Sequence, residues 1–212
     1  MLIKDTAEAK KVIDTGKVPL IVDPDGASIT ALKPDVVVDA ILAKKNLGTN
    51  HSMAPLTVGL GPGFTAGVDV DIVIETMRGH NLGRIIREGS AIPNTGIPGN
   101  IGGYTAERVI HAGAEGILYN VHKIGDIVEQ GEEIAYIADE KENRRYSVTA
   151  TIPGIIRGLI RDGYPVTKGF KIADIDPRKS ELSNCFTISD KARCIAGSVL
   201  EVVCAFGSNI LS

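Results

Sequence analysis

Two stretches of this chain repeat one pattern: AEGILYNVHKIGDIVEQGEEIAYI at 114–137 and TIPGIIRGLIRDGYPVTKGFKIADI at 151–175. A shift of 38 positions aligns them without a gap, with eight identities among the 22 positions from 116 to 137. The identical positions of the first copy are Gly116, Ile117, Gly125, Val128, Gly131, Ile134, Ala135 and Ile137. Such self-similarity marks two copies of one supersecondary unit, with glycines at the turns and aliphatic side chains in a shared core. The repeat predicts an all-β module over residues 108–177.

This layout resembles the barrel-sandwich hybrid of biotinyl and lipoyl carrier domains, in which a hairpin joining the two halves carries the acylated lysine. The corresponding hairpin here is ADEKENRRYS, residues 138–147, and its only lysine is Lys141. The Ala-Met-Lys-Met signature of biotin acceptors is missing, and Lys141 lies two residues too far from the following strand. A charged, exposed hairpin is therefore favoured over an acyl carrier.

Residues 1–88 show a different pattern, in which helix-like segments alternate with short apolar runs rich in β-branched residues. Thr6 is the predicted N-cap of a short helix that extends to Val12. Continuous apolar runs are typical of strands buried on both faces of a parallel sheet. The runs are Val18–Asp23, Asp35–Ile41, Pro55–Gly59 and Val70–Thr76. The predicted fold class is α/β plus all-β, a partial Rossmann-like parallel sheet followed by a barrel-sandwich hybrid module.

The domain boundaries follow from these changes of pattern. Residues 89–107 are rich in Gly, Pro and Asn and form a connector without regular helix. Residues 178–212 form a C-terminal docking segment with an amphipathic helix from Ala192 to Phe206. The predicted parts are 1–88, 89–107, 108–177 and 178–212.

Composition excludes several functional classes. The net charge of −3 and the pI near 5.8 argue against binding to nucleic acid or to an anionic membrane. The N-terminus lacks the apolar core of a signal peptide, and no run of about 18 apolar residues exists. The three cysteines match neither a disulfide framework nor a C-x-x-C metal pair, so a cytoplasmic location is expected.

The stretch VGLGPGF, residues 58–64, places three glycines after a predicted buried strand. Glycine at the carboxyl end of such a strand lets backbone N–H groups approach a phosphate, so Gly59, Gly61 and Gly63 are candidate ligand-binding residues. The spacing differs from G-x-G-x-x-G, and Pro62 removes one donor. A sharp structural turn is the alternative.

The stretch ETMRGHNLGR, residues 75–84, gathers polar groups where the next strand ends. Arg78, Asn81 and Arg84 are candidates for binding an anion. Glu75 and His80 are candidate catalytic residues, because they can transfer protons or hold a metal. The alternative is a solvated loop with a Glu–Arg pair. No H-E-x-x-H motif is present, and no metal site is assigned.

Three further segments contain candidate functional residues. Asp23 and Asp25 follow another strand end, where they are expected to add carboxylates to the same crevice as the 75–84 stretch; a simple Asx-Pro turn explains them equally well. Residues 94–99 are a candidate lid. Cys185 is the third candidate catalytic residue, because it precedes the predicted C-terminal helix, whose dipole can lower a thiol pKa.

The remaining histidines and cysteines are interpreted as structural. His51, His111 and His122 are scattered along the chain, and Cys194 and Cys204 are expected to be buried and inert.

The runs APLTVGLGPGF, VIETMRGHNLGR, PNTGIPGNIGG and TIPGIIRGLIRDGYPVTKGFKIADIDPR resemble the accessory proteins of selenium-dependent molybdenum hydroxylases (the YqeB type). The resemblance runs from VPLIVDPDG to CFTISDKAR, nearly the whole chain. It implies a bacterial maturation factor for xanthine-dehydrogenase-like enzymes that carry molybdopterin and labile selenium. It also implies, as partners, the hydroxylase or other maturation factors. The family opens with a Gly-rich GAGD-like turn, whereas this chain starts MLIKDTAEAKKVI, as expected of a fragment or a shortened form.

These inferences lead to three hypotheses. The first is an accessory protein that binds an anionic ligand, a molybdopterin-type cofactor or a nucleotide, in a crevice between the two parts. The second is a non-enzymatic scaffold that docks the hydroxylase through the barrel-sandwich surface. The third, which the missing signature argues against, is an acyl carrier. Catalysis and homo-oligomerisation are left open.

Overall fold

The chain folds into two compact units. The structure, a computed structural model, describes residues 1–96, 99–139 and 143–208. Unit 1 comprises Met1–Asn94 and Asp190–Ser212, and unit 2 comprises Thr95–Ser189. The chain therefore returns to unit 1 after it has completed unit 2. None of the helices in the described residues is long and apolar enough to cross a membrane.

Unit 1 contains eight short strands and three α-helices within its described residues. The strands are β1 (Leu2–Ile3), β2 (Leu20–Ile21), β3 (Val36–Asp39), β4 (Leu56–Leu60), β5 (Thr65–Ala66), β6 (Ile72–Ile74), β7 (Ile85–Ile86) and β8 (Gly89–Ser90). The helices are α1 (Ala9–Ile13), α2 (Ala27–Leu32) and α3 (Asp190–Gly207), with 3-10 helices at Thr6–Glu8 and His51–Met53. The predicted C-terminal helix is confirmed as α3.

A four-stranded sheet forms the centre of unit 1, in the order β3-β4-β6-β7. Strands β3, β4 and β6 are parallel, and β7 is antiparallel to β6. Every residue of β4 and β6 is buried, as their continuous apolar runs predicted. Both strands are covered on both faces, because α3 packs on one face and the β5–β8 region on the other.

The two faces of this sheet carry separate cores, because successive residues of a strand point to opposite faces. Towards α3 the core consists of Leu56, Val58, Leu60, Ile72, Ile74, Ile195 and Val202. On the other face it consists of Phe64, Ala66, Val70, Val73 and Ala91.

The N-terminal run Val18–Asp23 does not join this sheet. Only β2 is extended within it, and β2 pairs in parallel with β1 in a separate two-stranded sheet. The prediction of a strand buried on both faces is wrong here, since Val18 is 81% exposed. β-Branched composition indicates an extended strand but does not specify what covers it.

The first helix also starts one residue earlier than predicted. The Asp5 side chain accepts a hydrogen bond from the Ala7 amide, and Glu8 completes a capping box. Asp5, and not Thr6, is therefore the N-cap.

Unit 2 is built from two four-stranded antiparallel sheets. Its strands are β9 (Val109–His111), β10 (Gly116–Asn120), β11 (Ile127–Val128), β12 (Glu133–Asp139), β13 (Arg144–Thr149), β14 (Gly154–Leu159), β15 (Tyr164–Val166) and β16 (Lys171–Asp176). The sheet orders are β13-β12-β10-β15 and β11-β14-β16-β9. Two 3-10 helices, Ala106–Arg108 and Lys179–Phe186, flank the strands.

The two repeat copies exchange strands, each giving its middle strand to the other's sheet. Strand β11 of the first copy pairs with β14, and β15 of the second copy pairs with β10. Backbone hydrogen bonds recur with the 38-residue shift. The Gly131 amide donates to the Ala150 carbonyl at 2.8 Å, and the Gly169 amide donates to the Ala112 carbonyl at 2.8 Å. The prediction of two copies around one aliphatic core is confirmed.

Candidate functional site

The parallel strands of unit 1 end together at one edge of the sheet. Asp39 lies beside Gly59, and Leu60 lies beside Ile74, in the strand register. Three connections leave from this carboxyl edge, namely residues 40–50 after β3, residues 61–64 after β4 and residues 75–84 after β6. Ligands of parallel α/β sheets bind in this position.

The connection 75–84 joins β6 to the antiparallel β7, and Glu75 holds it in place. This carboxylate is 2% exposed. It accepts hydrogen bonds from the Met77 amide at 2.6 Å and the Ile92 amide at 2.8 Å. Both of its oxygens therefore fix backbone, one within the 75–84 loop and one beyond β8.

Arg78 lies on the outer part of the 75–84 loop. Its guanidinium donates to both oxygens of Asp190, at 2.8 and 3.0 Å. Both side chains are exposed, and Asp190 is the first residue of α3. This ion pair connects the loop to the start of α3.

Tight turns form the rest of the 75–84 loop. The Leu82 amide donates to the Gly79 carbonyl and the Arg84 amide to the Asn81 carbonyl. A Cβ at Gly83 would lie 2.6 Å from the Cys194 sulfur, so glycine lets α3 pack against the loop. His80 and the Arg84 side chain are exposed, and Asn81 is half-buried.

The charges of Arg78 and Lys44 both act on Lys191, and sequence reasoning identified neither lysine. Partial burial, followed by the positive charges of Arg78 and Lys44, lowers the pKa of the Lys191 ammonium, while the Glu75 carboxylate acts in the opposite direction. Lys44 belongs to the 40–50 connection. No sequence motif brings Lys44 and Lys191 together, because 147 positions separate the two lysines.

Asp39 shapes the 40–50 connection. Its carboxylate accepts hydrogen bonds from the Ile41 amide at 3.0 Å and the Thr49 hydroxyl at 2.7 Å. Leu42 and Lys44 have left-handed backbone, with φ values of 58° and 63°. Such values are uncommon for residues other than glycine, so the surrounding contacts hold this backbone.

The three glycines after β4 are explained by internal packing. A Cβ at Gly59 would lie 2.6 Å from the Phe64 ring, and one at Gly63 would lie 2.6 Å from the Lys45 backbone. A Cβ at Gly61 would likewise overlap the Thr76 side chain. The Gly61 amide already donates to the Ile74 carbonyl at 2.8 Å. These contacts favour the alternative of a sharp structural turn.

The other predicted residues lie elsewhere. Asp23 caps α2 by accepting from the Ala27 and Ser28 amides, at 3.0 and 2.7 Å. Asp25 lines a cavity of about 720 Å³ beside α2, where β3 and β4 begin. Because that is the opposite edge of the sheet, the prediction that these carboxylates join the 75–84 loop is wrong.

Cys185 lies in unit 2, within the 3-10 helix Lys179–Phe186, and not directly before α3. The candidate lid includes residues 97 and 98, which lie outside the described residues, as does Lys141. Cys194 and Cys204 are exposed, and the prediction of burial is wrong for both. In the described part of the chain, no three His, Cys, Asp or Glu side chains are placed to hold a metal ion.

Comparison with known proteins gives one strong similarity. No family model matches the chain. It is 50% identical over 202 residues, 95% of its length, to the uncharacterized protein YqeB of Escherichia coli strain K12. The chain spans 36% of that relative's length. This identity supports the YqeB-type resemblance of the motifs.

Similar solved structures include the succinylglutamate desuccinylase/aspartoacylase of Rhodobacter sphaeroides, at 22% identity and a TM-score of 0.31 over 33% of this chain and 22% of that one. The apo form of the ectoine utilization protein EutE (DoeB) of Ruegeria pomeroyi is 11% identical, with a TM-score of 0.32 over 42% of this chain and 26% of that one. At these scores we draw no conclusion from either.

Proposed function

We propose that this chain belongs to an accessory protein for the maturation of selenium-dependent molybdenum hydroxylases, acting in the cytoplasm. In this role the chain binds an anionic ligand at the carboxyl edge of the unit 1 sheet. The observation that carries it is the 50% identity to a YqeB protein over 95% of the chain. Together with the motifs at 55–84, this identity supports the YqeB-type resemblance, and the maturation role is what that resemblance implies.

The contacts at the sheet edge support ligand binding more than acid–base catalysis. Glu75 is occupied by two backbone amides, whereas a general base must reach a proton of the substrate. Arg78 is exposed on a loop that α3 and Glu75 fix in place. Guanidinium groups bind phosphates and carboxylates through two parallel hydrogen bonds, so an anion is the ligand class that Arg78 favours.

The maturation role is tested in a bacterium that makes a selenium-dependent molybdenum hydroxylase. We expect deletion of the gene to abolish hydroxylase activity and to lower the selenium or molybdenum content of the purified hydroxylase. The amount of hydroxylase polypeptide should stay unchanged. A copy of the gene restores both properties. Full activity and full metal content in the deletion strain would contradict the proposal.

A second candidate function is docking of the hydroxylase through unit 2, and the turn at Gly125 favours it. Phe186 is 71% exposed, and its ring lies 2.9 Å from the position that a Cβ of Gly125 would take. Ile124 and Ile127 on either side are also exposed. At the equivalent positions the second copy has Asp162 and Pro165 in place of the two isoleucines. The two copies therefore differ in apolar surface at this turn.

Capture of the purified hydroxylase on the immobilised chain tests docking. We expect Phe186→Ser to lose capture and Arg78→Ala to retain it. Leu200→Ser, which changes an exposed apolar residue of α3, is the control. Equal capture by Phe186→Ser and the wild-type chain would exclude this surface.

A further inference from the structure

Three positively charged residues lie on three separate elements that meet at the carboxyl edge of unit 1. Arg78 comes from the 75–84 loop, Lys191 from the first turn of α3, and Lys44 from the 40–50 connection. The bidentate bond between Arg78 and Asp190 places the guanidinium next to Lys191 along the chain. Lys44 precedes Lys45, whose backbone packs against Gly63 in the turn after β4. The positive charge of Lys44, like that of Arg78, lowers the pKa of the Lys191 ammonium. Lys44, Arg78 and Lys191 are called the cation cluster below.

The nearby carboxylates leave the two lysines without a close ionic partner. Asp190 is paired with Arg78. The charge of Glu75 acts on Lys191, but both of its oxygens bind backbone amides and not the ammonium. Within the described residues, no carboxylate oxygen lies within 4.0 Å of the Lys44 or Lys191 ammonium. Bringing like charges together opposes folding, and an anion that binds among them offsets this repulsion.

Tight packing fixes the elements that carry the cations. Gly63 lies against the Lys45 backbone, Gly61 against Thr76, and Gly83 against the Cys194 side chain, each without room for a Cβ. These contacts join the 40–50 connection, the 61–64 turn, the 75–84 loop and α3. The backbone that carries the cations is therefore held in place before a ligand binds, which lowers the conformational entropy that the protein loses on binding.

From this geometry we infer that the cation cluster is a binding site for a tetrahedral dianion, a phosphate group either free or carried by a larger ligand. Two ammonium groups and one guanidinium provide donors for the oxygens of such a group. Asp190 occupies the guanidinium of Arg78 and competes with the incoming anion. The inference rests on the proposed function for the location of the site. It adds the ligand class, two new ligand-binding residues and a competing carboxylate.

Isothermal titration calorimetry of the full chain at low salt tests this site. The probes are inorganic phosphate and adenosine 5′-monophosphate, at constant ionic strength. We expect saturable binding of at least one probe. Equal affinity for both indicates a site for the free anion, and tighter binding of the nucleotide indicates a phosphate carried by a larger ligand.

Variants of the chain distinguish this site from general attraction of anions. Lys44→Ala and Lys191→Ala should each weaken binding about tenfold, the effect expected for loss of one charge-assisted hydrogen bond. Asp190→Asn should tighten binding by releasing Arg78, a gain that misfolding cannot produce. Lys10→Ala removes an exposed lysine of α1 that pairs with Asp14. This variant should bind both probes like the wild type.

Two results would overturn the inference. One is the lack of saturable binding of either probe. The other is unchanged affinity in both lysine variants together with unchanged or weaker affinity in Asp190→Asn. Neither result bears on hydroxylase maturation in the deletion strain, so the two proposals fail separately.

Discussion

Glu75 joins two segments of unit 1 through its two carboxylate oxygens, one bonded to the Met77 amide and one to the Ile92 amide. Both hydrogen bonds are partly buried, so water replaces the carboxylate only incompletely if it is removed. An unpaired buried donor costs about 1–3 kcal/mol, and the cost for these partly buried amides lies towards the lower end of that range.

Glu75→Ala should therefore lower the free energy of unfolding of unit 1 by about 2–4 kcal/mol. Hydrogen exchange of β4 and β6 measures this change. His80→Ala is the matched control, since His80 is exposed in the same loop. A Glu75→Ala chain with wild-type exchange rates would show that this carboxylate does not support the loop.

Asp176 makes unit 2 sensitive to acid. It is 1% exposed and accepts hydrogen bonds from Arg157 and Arg178. Burial raises the pKa of its carboxyl, but hydrogen bonds from Arg178 and Arg157 and the charge of Arg178 lower it by more, from 3.8 to about 2. A carboxyl whose pKa is lower in the folded state stabilises the fold above its unfolded pKa. That stabilisation is lost as the pH falls from about 4 towards 2.

Asp176→Asn should lower the free energy of unfolding of unit 2 by about 2 kcal/mol at pH 7 and much less at pH 2. Tyrosine fluorescence in urea reports this directly, because all five tyrosines lie in unit 2 and the chain has no tryptophan. Glu129→Gln, in an exposed pair with Lys179, should change stability little. An equal loss at both pH values would contradict the assignment.

The sequence predicted part of the candidate site at this scale. It located the 75–84 loop and Arg78, because polar residues follow a continuous apolar run. It did not predict that Glu75 binds backbone, since the Ile92 amide reaches it only through the path of the folded chain. Lys44 and Lys191 were missed for the same reason.

At the scale of elements, the repeat in unit 2 is set by glycines that touch backbone. A Cβ at Gly116 would meet the Ala138 carbonyl oxygen and the Ile137 side chain. A Cβ at Gly154 would meet the Asp176 carbonyl oxygen and the Ile175 side chain. The partners are again 38 positions apart, so both copies need glycine for the same steric reason.

Gly154→Ala should destabilise unit 2 by about 1–3 kcal/mol through this overlap. The measurement is the urea midpoint from tyrosine fluorescence. Gly113→Ala is the control, since nothing lies within 4 Å of its Cβ position. Similar midpoints for the two variants would mean that the close approach at Gly154 is not required.

The sequence predicted the elements better than their arrangement. Continuous apolar runs identified β4 and β6, and the 38-residue shift identified the two copies. The same kind of run at Val18–Asp23 gave a short exposed strand, because composition does not determine whether a further layer covers it. The exchange of β11 and β15 depends on pairing between distant segments, which the repeat does not specify. The Rossmann-like and barrel-sandwich hybrid assignments stay predictions.

At the scale of the whole molecule, unit 1 needs both ends of the chain. Ile195 and Val202 of α3 complete the core formed by β4 and β6, although about 100 residues of unit 2 intervene. Unit 1 can therefore form its full core only after unit 2 has been synthesised.

Val202→Ala should lower the free energy of unfolding of unit 1 by about 1–3 kcal/mol, because it leaves a cavity in this core. Hydrogen exchange of β4 and β6 should rise while the tyrosine signal of unit 2 stays unchanged. Leu200→Ala, at a position 63% exposed on the same helix, should stay within about 0.5 kcal/mol of the wild type. Equal effects of the two substitutions would contradict the packing of α3.

The central claim is that the chain carries an anionic ligand at the carboxyl edge of unit 1. The most direct test is the mass of the intact chain, native and denatured, after purification from a bacterium that makes selenium-dependent molybdenum hydroxylases. We expect a mass excess in the native spectrum that disappears on denaturation and is lost in Arg78→Ala. The bare chain mass in both spectra would contradict the claim, and an excess that survives denaturation would point instead to covalent modification.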